Sequence, residues 1–146
     1  MTRFRFSLEK ALELRRVQLG LEEAKFQQHG AALLQLDRVR EGMQASRAHA
    51  ELQVRAGAGL QGFDLAALGD FRRHVQAKEK DLARLRVEGE RKLEELRAAM
   101  LGARRRCLLL EKLRERRKAE WDAAADRELE ENAAESFLAK WRRGQA

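Results

Sequence analysis

The segment with the clearest chemical signature is rich in glycine. Gly57, Gly59 and Gly62 match the G-x-G-x-x-G spacing of dinucleotide-binding loops. Such a loop needs a β-strand before it, because strand and helix together hold the pyrophosphate. The preceding residues 52–55 continue a helical pattern instead. We therefore interpret the glycines as a flexible turn.

The other reactive side chains lack the spacing that catalysis or metal binding requires. His29, His49 and His74 lie too far apart to place two imidazoles on one helical face. Cys107 is the only cysteine, which fits a reducing compartment and favours a buried thiol. Carboxylates are plentiful, but no pocket is predicted that would shift their pKa values. We expect no enzymatic activity, no metal ion and no cofactor.

The composition favours long helices over sheets. The 146 residues include 24 Ala and 23 Leu but no Ile and no Pro, and 38% of them are charged. Strands depend on β-branched residues, which are scarce here, whereas Ala and Leu are strong helix formers. No apolar run reaches the roughly 18 residues that span a bilayer, and no signal peptide is recognisable. The sequence predicts an all-α cytoplasmic protein.

Apolar residues recur every seven positions on both sides of the glycines, which is typical of a coiled-coil seam. In the second half the series is Leu68, Val75, Leu82, Gly89, Leu96, Ala103 and Leu110, flanked by Phe71, Leu85, Leu93, Met100, Cys107 and Leu113. Large apolar residues of the two halves oppose each other when their numbers total 118 or 119, and polar residues then face small ones. The pairs are Leu8 with Leu110, Leu12 with Cys107, Leu19 with Met100, Phe26 with Leu93, Leu33 with Leu85, Leu36 with Leu82, Met43 with Val75, His29 with Gly89 and Arg15 with Ala103.

This register predicts a long antiparallel two-helix coiled coil over residues 1–146. Its helices would span about 7–55 and 65–140, joined by a glycine-rich turn at 56–63, with Asp64 as the N-cap of the second helix. Beyond about Lys118 the second helix has no residue of the first helix opposite it, so its last part would protrude alone. Residues 103–118 carry a net charge of +6 and residues 119–135 a net charge of −6. The acidic block and the lack of an aromatic platform argue against nucleic-acid binding.

Three segments carry a resemblance to a known family. The opening Phe4-Arg5-Phe6-Ser7-Leu8-Glu9-Lys10-Ala11-Leu12-Glu13-Leu14-Arg15 resembles the start of the flagellar export protein FliJ family. Residues 71–75, Phe-Arg-Arg-His-Val, match a family segment after the bend, with His74 where a second aromatic is usual. Residues 110–117 and 128–134 resemble the family's Glu-Lys-Leu run and acidic close, with Asn132 as a departure.

The resemblance implies a non-enzymatic central stalk of the type III export apparatus. It would enter the ring of the hexameric export ATPase FliI, connect it to the cytoplasmic domain of the gate protein FlhA, and escort export chaperones. We expect a monomer at the base of the flagellar export apparatus, without nucleic acid and without direct membrane insertion. The gate would contact Arg40, Gln44, Arg47, Phe71, His74, Val75 and Lys78. The ATPase ring would contact Phe4, Phe6, Leu8, Arg104, Arg114, Arg117, Trp121, Leu129 and Phe137.

Two alternatives stay open. The same stalk role could belong to a virulence type III secretion system. A self-associating scaffold protein would instead use the seam to join separate chains, and its mass in solution would be that of a dimer or larger.

Overall fold

The computed structural model describes residues 3–57 and 62–145, which form two long helices packed against each other as an all-α hairpin. Helix α1 spans Glu9–Ala56 and helix α2 spans Gly62–Gly144. Within the described residues there is no strand. Residues 58–61 of the predicted turn, Gly59 among them, lie outside the described residues. Over the part that is described, neither helix has a stretch apolar enough to cross a membrane.

The helix ends differ in detail from the sequence prediction. Helix α1 is preceded by a turn in which the Glu9 N–H donates to the Phe6 carbonyl over 3.2 Å. Helix α2 begins at Gly62, so Asp64 lies inside its first turn and not at the predicted N-cap position. A carboxylate in the first turn still faces the positive end of the helix dipole. At its other end α2 continues to Gly144, four residues beyond the predicted limit.

The chain divides into two compact units, each built from a segment of α1 and a segment of α2. Unit 1 comprises Met1–Gly20 and Gly102–Ala146, and unit 2 comprises Leu21–Leu101. The core of unit 1 contains Leu12, Ala103 and Cys107, whose exposed fractions are 5% or less. The core of unit 2 contains Leu33 and Val75. Each core is a narrow seam between two helices.

The seven-residue series predicted for α2 is confirmed by burial. Every member from Leu68 to Leu110 is buried or half-buried. The flanking prediction fails at Leu85, which is 41% exposed, while its neighbour Arg86 is half-buried. The observed flank follows each series member by four residues, and it includes Arg72, Glu79, Arg86, Leu93, Met100, Cys107 and Arg114. An arginine fits this position because its aliphatic stem packs on the seam while its guanidinium reaches outward.

In unit 2, Gly89 of α2 is contacted by two side chains of α1. The predicted pairing of His29 with Gly89 is confirmed, since His29 Nε2 lies 2.9 Å from the Gly89 carbonyl oxygen. Leu33 packs here as well, because a Cβ built on Gly89 would overlap its Cδ2 atom. Leu33 was predicted to oppose Leu85, and the structure places its side chain against Gly89. A residue without a side chain makes room for both neighbours.

Three ion pairs between the helices share a register of their own, and another, between Arg16 and Glu111, falls outside it. In unit 2 the Arg86 guanidinium pairs with Asp37, and Arg72 Nε lies 3.0 Å from Glu51 Oε1. In unit 1, Arg114 Nε lies 3.0 Å from Glu9 Oε2. The two residue numbers of each of these three pairs total 123, and the three arginines all belong to the flank of the α2 seam. In unit 2 the two pairs are fourteen residues apart along each helix, which is a multiple of the seven-residue repeat.

Candidate functional site

Within unit 1, the residues before α1 form a cleft with α2 that we call the terminal cleft. It has a volume of about 450 Å³ and is lined by Arg3, Phe4, Arg5, Phe6, Glu9 and Arg114. Three arginines and one glutamate give this lining a net positive charge. The alternation of arginine and phenylalanine in Arg3–Phe6 places cations and aromatic rings side by side. Such a lining suits an acidic or aromatic segment of a partner protein.

An aromatic pair anchors the N-terminal segment against α2. The Phe4 and Trp121 ring centroids are 6.1 Å apart, with an interplanar angle of 55°. This tilted arrangement is a favourable geometry for aromatic rings. Both residues are half-buried, so each keeps part of its ring accessible. Of the predicted ring-binding residues, the structure therefore brings Phe4, Phe6, Arg114 and Trp121 to one end of unit 1.

The other residues that were predicted to bind the ring are spread along exposed surface of unit 1. Leu8 is 40% exposed just before α1 begins, and Arg104 is exposed on α2. Arg117 lies 3.2 Å from Glu120 on the same helix. Leu129 and Phe137 are 60% and 68% exposed and lie outside the terminal cleft. The predicted residues therefore do not form one site: some lie at the terminal cleft, and Leu129 and Phe137 belong to a separate apolar surface on the last turns of α2.

Those last turns make little contact with the rest of unit 1. After Ala125, every described residue is exposed except Ala139. Three further large side chains join Leu129 there, and they lie close together in sequence: Phe137, Leu138 and Trp141, each at least 50% exposed. Spacings of three and four residues place Phe137 and Trp141, with Ala134, on one side of the helix. Sequence analysis did not include Leu138 or Trp141, although this spacing could have revealed them.

The second candidate surface lies in unit 2, and we call it the bend face. It consists of the predicted gate-binding residues that are exposed or half-buried: Arg40, Gln44, Arg47, Phe71, His74 and Lys78. Val75 is 2% exposed and belongs to the seam, so it has little surface to offer a partner. Phe71 is half-buried, which fits a residue at the edge of the seam.

A charge bridge crosses the bend face. Glu51 Oε1 accepts from Arg47 Nε at 3.2 Å and from Arg72 Nε at 3.0 Å. The hydrogen bond from Arg47, followed by that from Arg72, lowers the pKa of the Glu51 carboxyl. This bridge ties α1 to α2 within unit 2 and partly neutralises Arg47. The sequence prediction included Arg47 but missed Glu51 and Arg72, whose numbers follow the ion-pair register.

The single cysteine is placed where its chemistry is suppressed. Cys107 is 2% exposed in the core of unit 1. Burial, followed by the nearby Glu111 carboxylate, raises the pKa of its thiol. Glu111 is itself held by Arg16, with 3.3 Å between Arg16 Nε and Glu111 Oε1. A protonated, enclosed thiol is a packing residue.

The chemistry available in both units is binding by charge, aromatic rings and apolar contact. Over the described residues, no three His, Cys, Asp or Glu side chains come together as a metal site would require. Comparisons with protein-family models, with curated proteins and with solved structures give no match to this chain.

Proposed function

We propose that this protein is a non-enzymatic central stalk and coupling protein of the flagellar type III export apparatus. The observation that carries the proposal is the end of unit 1, where a basic aromatic cleft and the exposed last turns of α2 occur together. That end would enter the ring of the export ATPase FliI. The bend face would bind the cytoplasmic domain of the gate protein FlhA, and the protein would escort export chaperones. It would act in the cytoplasm at the base of the apparatus.

The hairpin supports a monomeric stalk over a scaffold assembled through the seam. Leu12, Leu33, Val75 and Cys107 are buried by contacts within one chain. The apolar seam is therefore already occupied, and a second chain would have to displace α1 or α2. Cysteines at Phe26 and Leu93, in a chain lacking Cys107, should crosslink within one chain. Crosslinks found only between chains would favour the scaffold.

Ring binding can be tested with two matched single substitutions. Phe137→Ala removes a 68% exposed ring from the last turns of α2, and Val87→Ala removes a 66% exposed side chain from unit 2. We expect Phe137→Ala to weaken binding to purified FliI and its stimulation of ATP hydrolysis, while Val87→Ala leaves both unchanged. Deletion of residues 119–146 should abolish both effects. Unchanged ATPase stimulation by the deleted chain would rule out the ring assignment.

Gate binding has an equally direct test. His74 and Lys78 are exposed and lie outside the buried seam, so removing their side chains should leave the melting temperature nearly unchanged. His74→Ala should weaken binding to the FlhA cytoplasmic domain by about 1 kcal/mol or more in calorimetry. Lys92→Ala, a change at another exposed α2 lysine of unit 2, is the control. If His74→Ala and Lys78→Ala both bind the FlhA cytoplasmic domain as tightly as the parent chain does, the bend face is not the gate-binding surface.

The same binding measurements distinguish a flagellar from a virulence secretion system. The chain should bind the flagellar ATPase and gate more tightly than their virulence counterparts. The reverse preference would assign the stalk to a virulence system.

A further inference from the structure

In unit 1, α2 presents an exposed stripe that faces away from the seam. We call it the outer face and define it by Lys112, Arg116, Ala119, Ala123, Asp126 and Glu130, all of which are exposed. Successive members are three or four residues apart, so they line one side of the helix. At about 100° per residue, this side lies opposite the buried Cys107 and the half-buried Leu110 and Arg114.

The charges of the outer face are without partners inside the chain. Lys112, Arg116, Asp126 and Glu130 form no ion pair with any other residue that the structure describes. Lys112 and Arg116 are like charges four residues apart, and so are Asp126 and Glu130. Such spacing is mildly destabilising in a helix. An oppositely charged surface laid on each half would relieve both repulsions.

The outer face is its own complement when read in the opposite direction. Lys112 corresponds to Glu130, Arg116 to Asp126, and Ala119 to Ala123, with the residue numbers of each pair totalling 242. Each position therefore meets an opposite charge or another alanine when a second α2 lies antiparallel to the first. A two-fold axis between Ala119 and Ala123 repeats every contact twice.

We propose that two copies of this chain associate through the outer faces of α2 in this antiparallel register. Four interchain ion pairs form, two from Lys112 with Glu130 and two from Arg116 with Asp126. The alanines at the centre allow the two helix backbones to approach closely, because their side chains are small. The surface and the partner have the same sequence, so the interface closes on itself as a dimer.

The register continues beyond the charged residues with an apolar contact. The next pairs that total 242 are Leu108 with Ala134 and Arg105 with Phe137. A shallow groove of about 270 Å³ lies at this position of unit 1, lined by Arg105, Leu108, Leu109 and Lys112. The exposed Phe137 ring of the second chain would occupy this groove beneath the Arg105 guanidinium, an arrangement that favours a cation–π contact.

The dimer is argued from the self-complementarity of α2 alone. It leaves the seam within each chain intact, so it differs from a scaffold assembled through the seam, and the chain would act as a stalk in its monomeric form. Both forms use Phe137. A chain paired through the outer face has this ring covered, so dimerisation and binding of that ring by another protein exclude each other.

Salt dependence provides the first test. Light scattering of the full chain at high micromolar concentration should give about 34 kDa, twice the 16.8 kDa chain, in about 20 mM NaCl. In about 500 mM NaCl, where the Debye length falls to roughly 4 Å, the mass should approach that of the monomer. A monomer at low salt would overturn the proposal, and so would a dimer unaffected by salt.

Charge reversal tests which charges are responsible. A chain with Lys112→Glu and Arg116→Glu carries an all-acidic outer face, and a chain with Asp126→Lys and Glu130→Lys carries an all-basic one. Each alone should dimerise at least about tenfold more weakly, whereas their mixture should form a heterodimer. The control chain, with Arg106→Glu and Arg117→Glu, has the same net charge as the all-acidic variant. Both of its changes lie off the outer face, so it should still dimerise. Failure of the mixture to restore dimers would overturn the proposal.

Cysteine crosslinking tests the register and direction. In a Cys107→Ala chain, Ala119→Cys mixed with Ala123→Cys should give interchain disulfides, since the two positions face each other across the axis. Neither variant alone should crosslink as well as the mixture. Equal crosslinking of Ala119→Cys with itself would indicate a parallel or shifted pairing and would overturn the antiparallel register.

Discussion

The ring nitrogen Nε2 of His29 lies 2.9 Å from the backbone carbonyl oxygen of Gly89, sixty residues further along the chain. The contact requires α1 and α2 to approach closely at a residue that has no side chain. Leu33, one turn after His29, fills the remaining space above Gly89.

Substitution of Gly89 should therefore be costly. Gly89→Leu would overlap Leu33 and displace His29, and we expect a loss of about 1 to 3 kcal/mol in the free energy of unfolding. Gly20→Leu is the matched control, because nothing lies within 4 Å of a Cβ at Gly20. There the better helix propensity of leucine should add up to about 1 kcal/mol. Chemical denaturation monitored by circular dichroism compares the two, and equal effects would contradict the close approach.

Acidification should weaken unit 2 through Glu51. Its carboxyl pKa is lowered in the folded state by Arg47 and Arg72. The resulting stabilisation is complete above the pKa of an unfolded glutamate, about 4.3, and is lost as the pH falls through the lower folded value. Glu51→Gln removes this contribution, so its melting temperature should fall less steeply below about pH 5 than that of the parent chain. Parallel melting curves for the two chains across this range would show that the bridge is not formed in solution.

Cys107 should report the opening of unit 1. Its thiol is buried and its pKa is raised, so reaction with a disulfide reagent near pH 8 should be much slower in the folded chain than in denaturant. Leu12 is fully buried in the same unit, so truncating its side chain should favour opening of the seam. Leu12→Ala should cost about 2 to 5 kcal/mol and speed the reaction of Cys107. A reaction rate that does not change with Leu12→Ala would mean that the thiol becomes accessible by another route.

The contact between Phe4 and Trp121 should be visible in tryptophan fluorescence. In a Trp141→Phe chain, Trp121 is the remaining fluorophore. Phe4→Ala exposes the Trp121 ring to water, so the emission should shift to longer wavelength. The contribution of the aromatic pair to the free energy of unfolding, about 0.5 to 1.5 kcal/mol, should be lost. Phe63→Ala, at an 81% exposed ring in unit 2, should change neither quantity. Unchanged emission in Phe4→Ala would indicate that the N-terminal segment is not packed on α2.

The hairpin and its main seam were predictable because leucine and alanine recur every seven residues, and such side chains are buried where two helices meet. The second line of the seam was predictable where it is apolar, at Leu93, Met100 and Cys107. It was not predictable at Arg86, because a search for apolar residues selects Leu85 instead. Arg86 packs its stem between the helices and pairs with Asp37, an outcome that depends on the position of an acid 49 residues away. The terminal cleft was partly predictable for a similar reason: Phe4, Phe6 and Arg114 were among the predicted ring-binding residues, whereas Arg3, Arg5 and Glu9 acquire their role only when α1 is folded back on α2.

The ion-pair register of unit 2 has a consequence for alternative alignments of the hairpin. A seven-residue repeat allows one helix to slide by seven positions while apolar residues still meet apolar residues. Sliding in one direction would bring Asp37 opposite Glu79, and sliding in the other would bring Glu51 opposite Glu79. Like charges at a half-buried edge repel, so both slipped alignments are penalised by the same residue. Glu79, which forms no ion pair with the described residues, thus disfavours slippage of the helices in either direction.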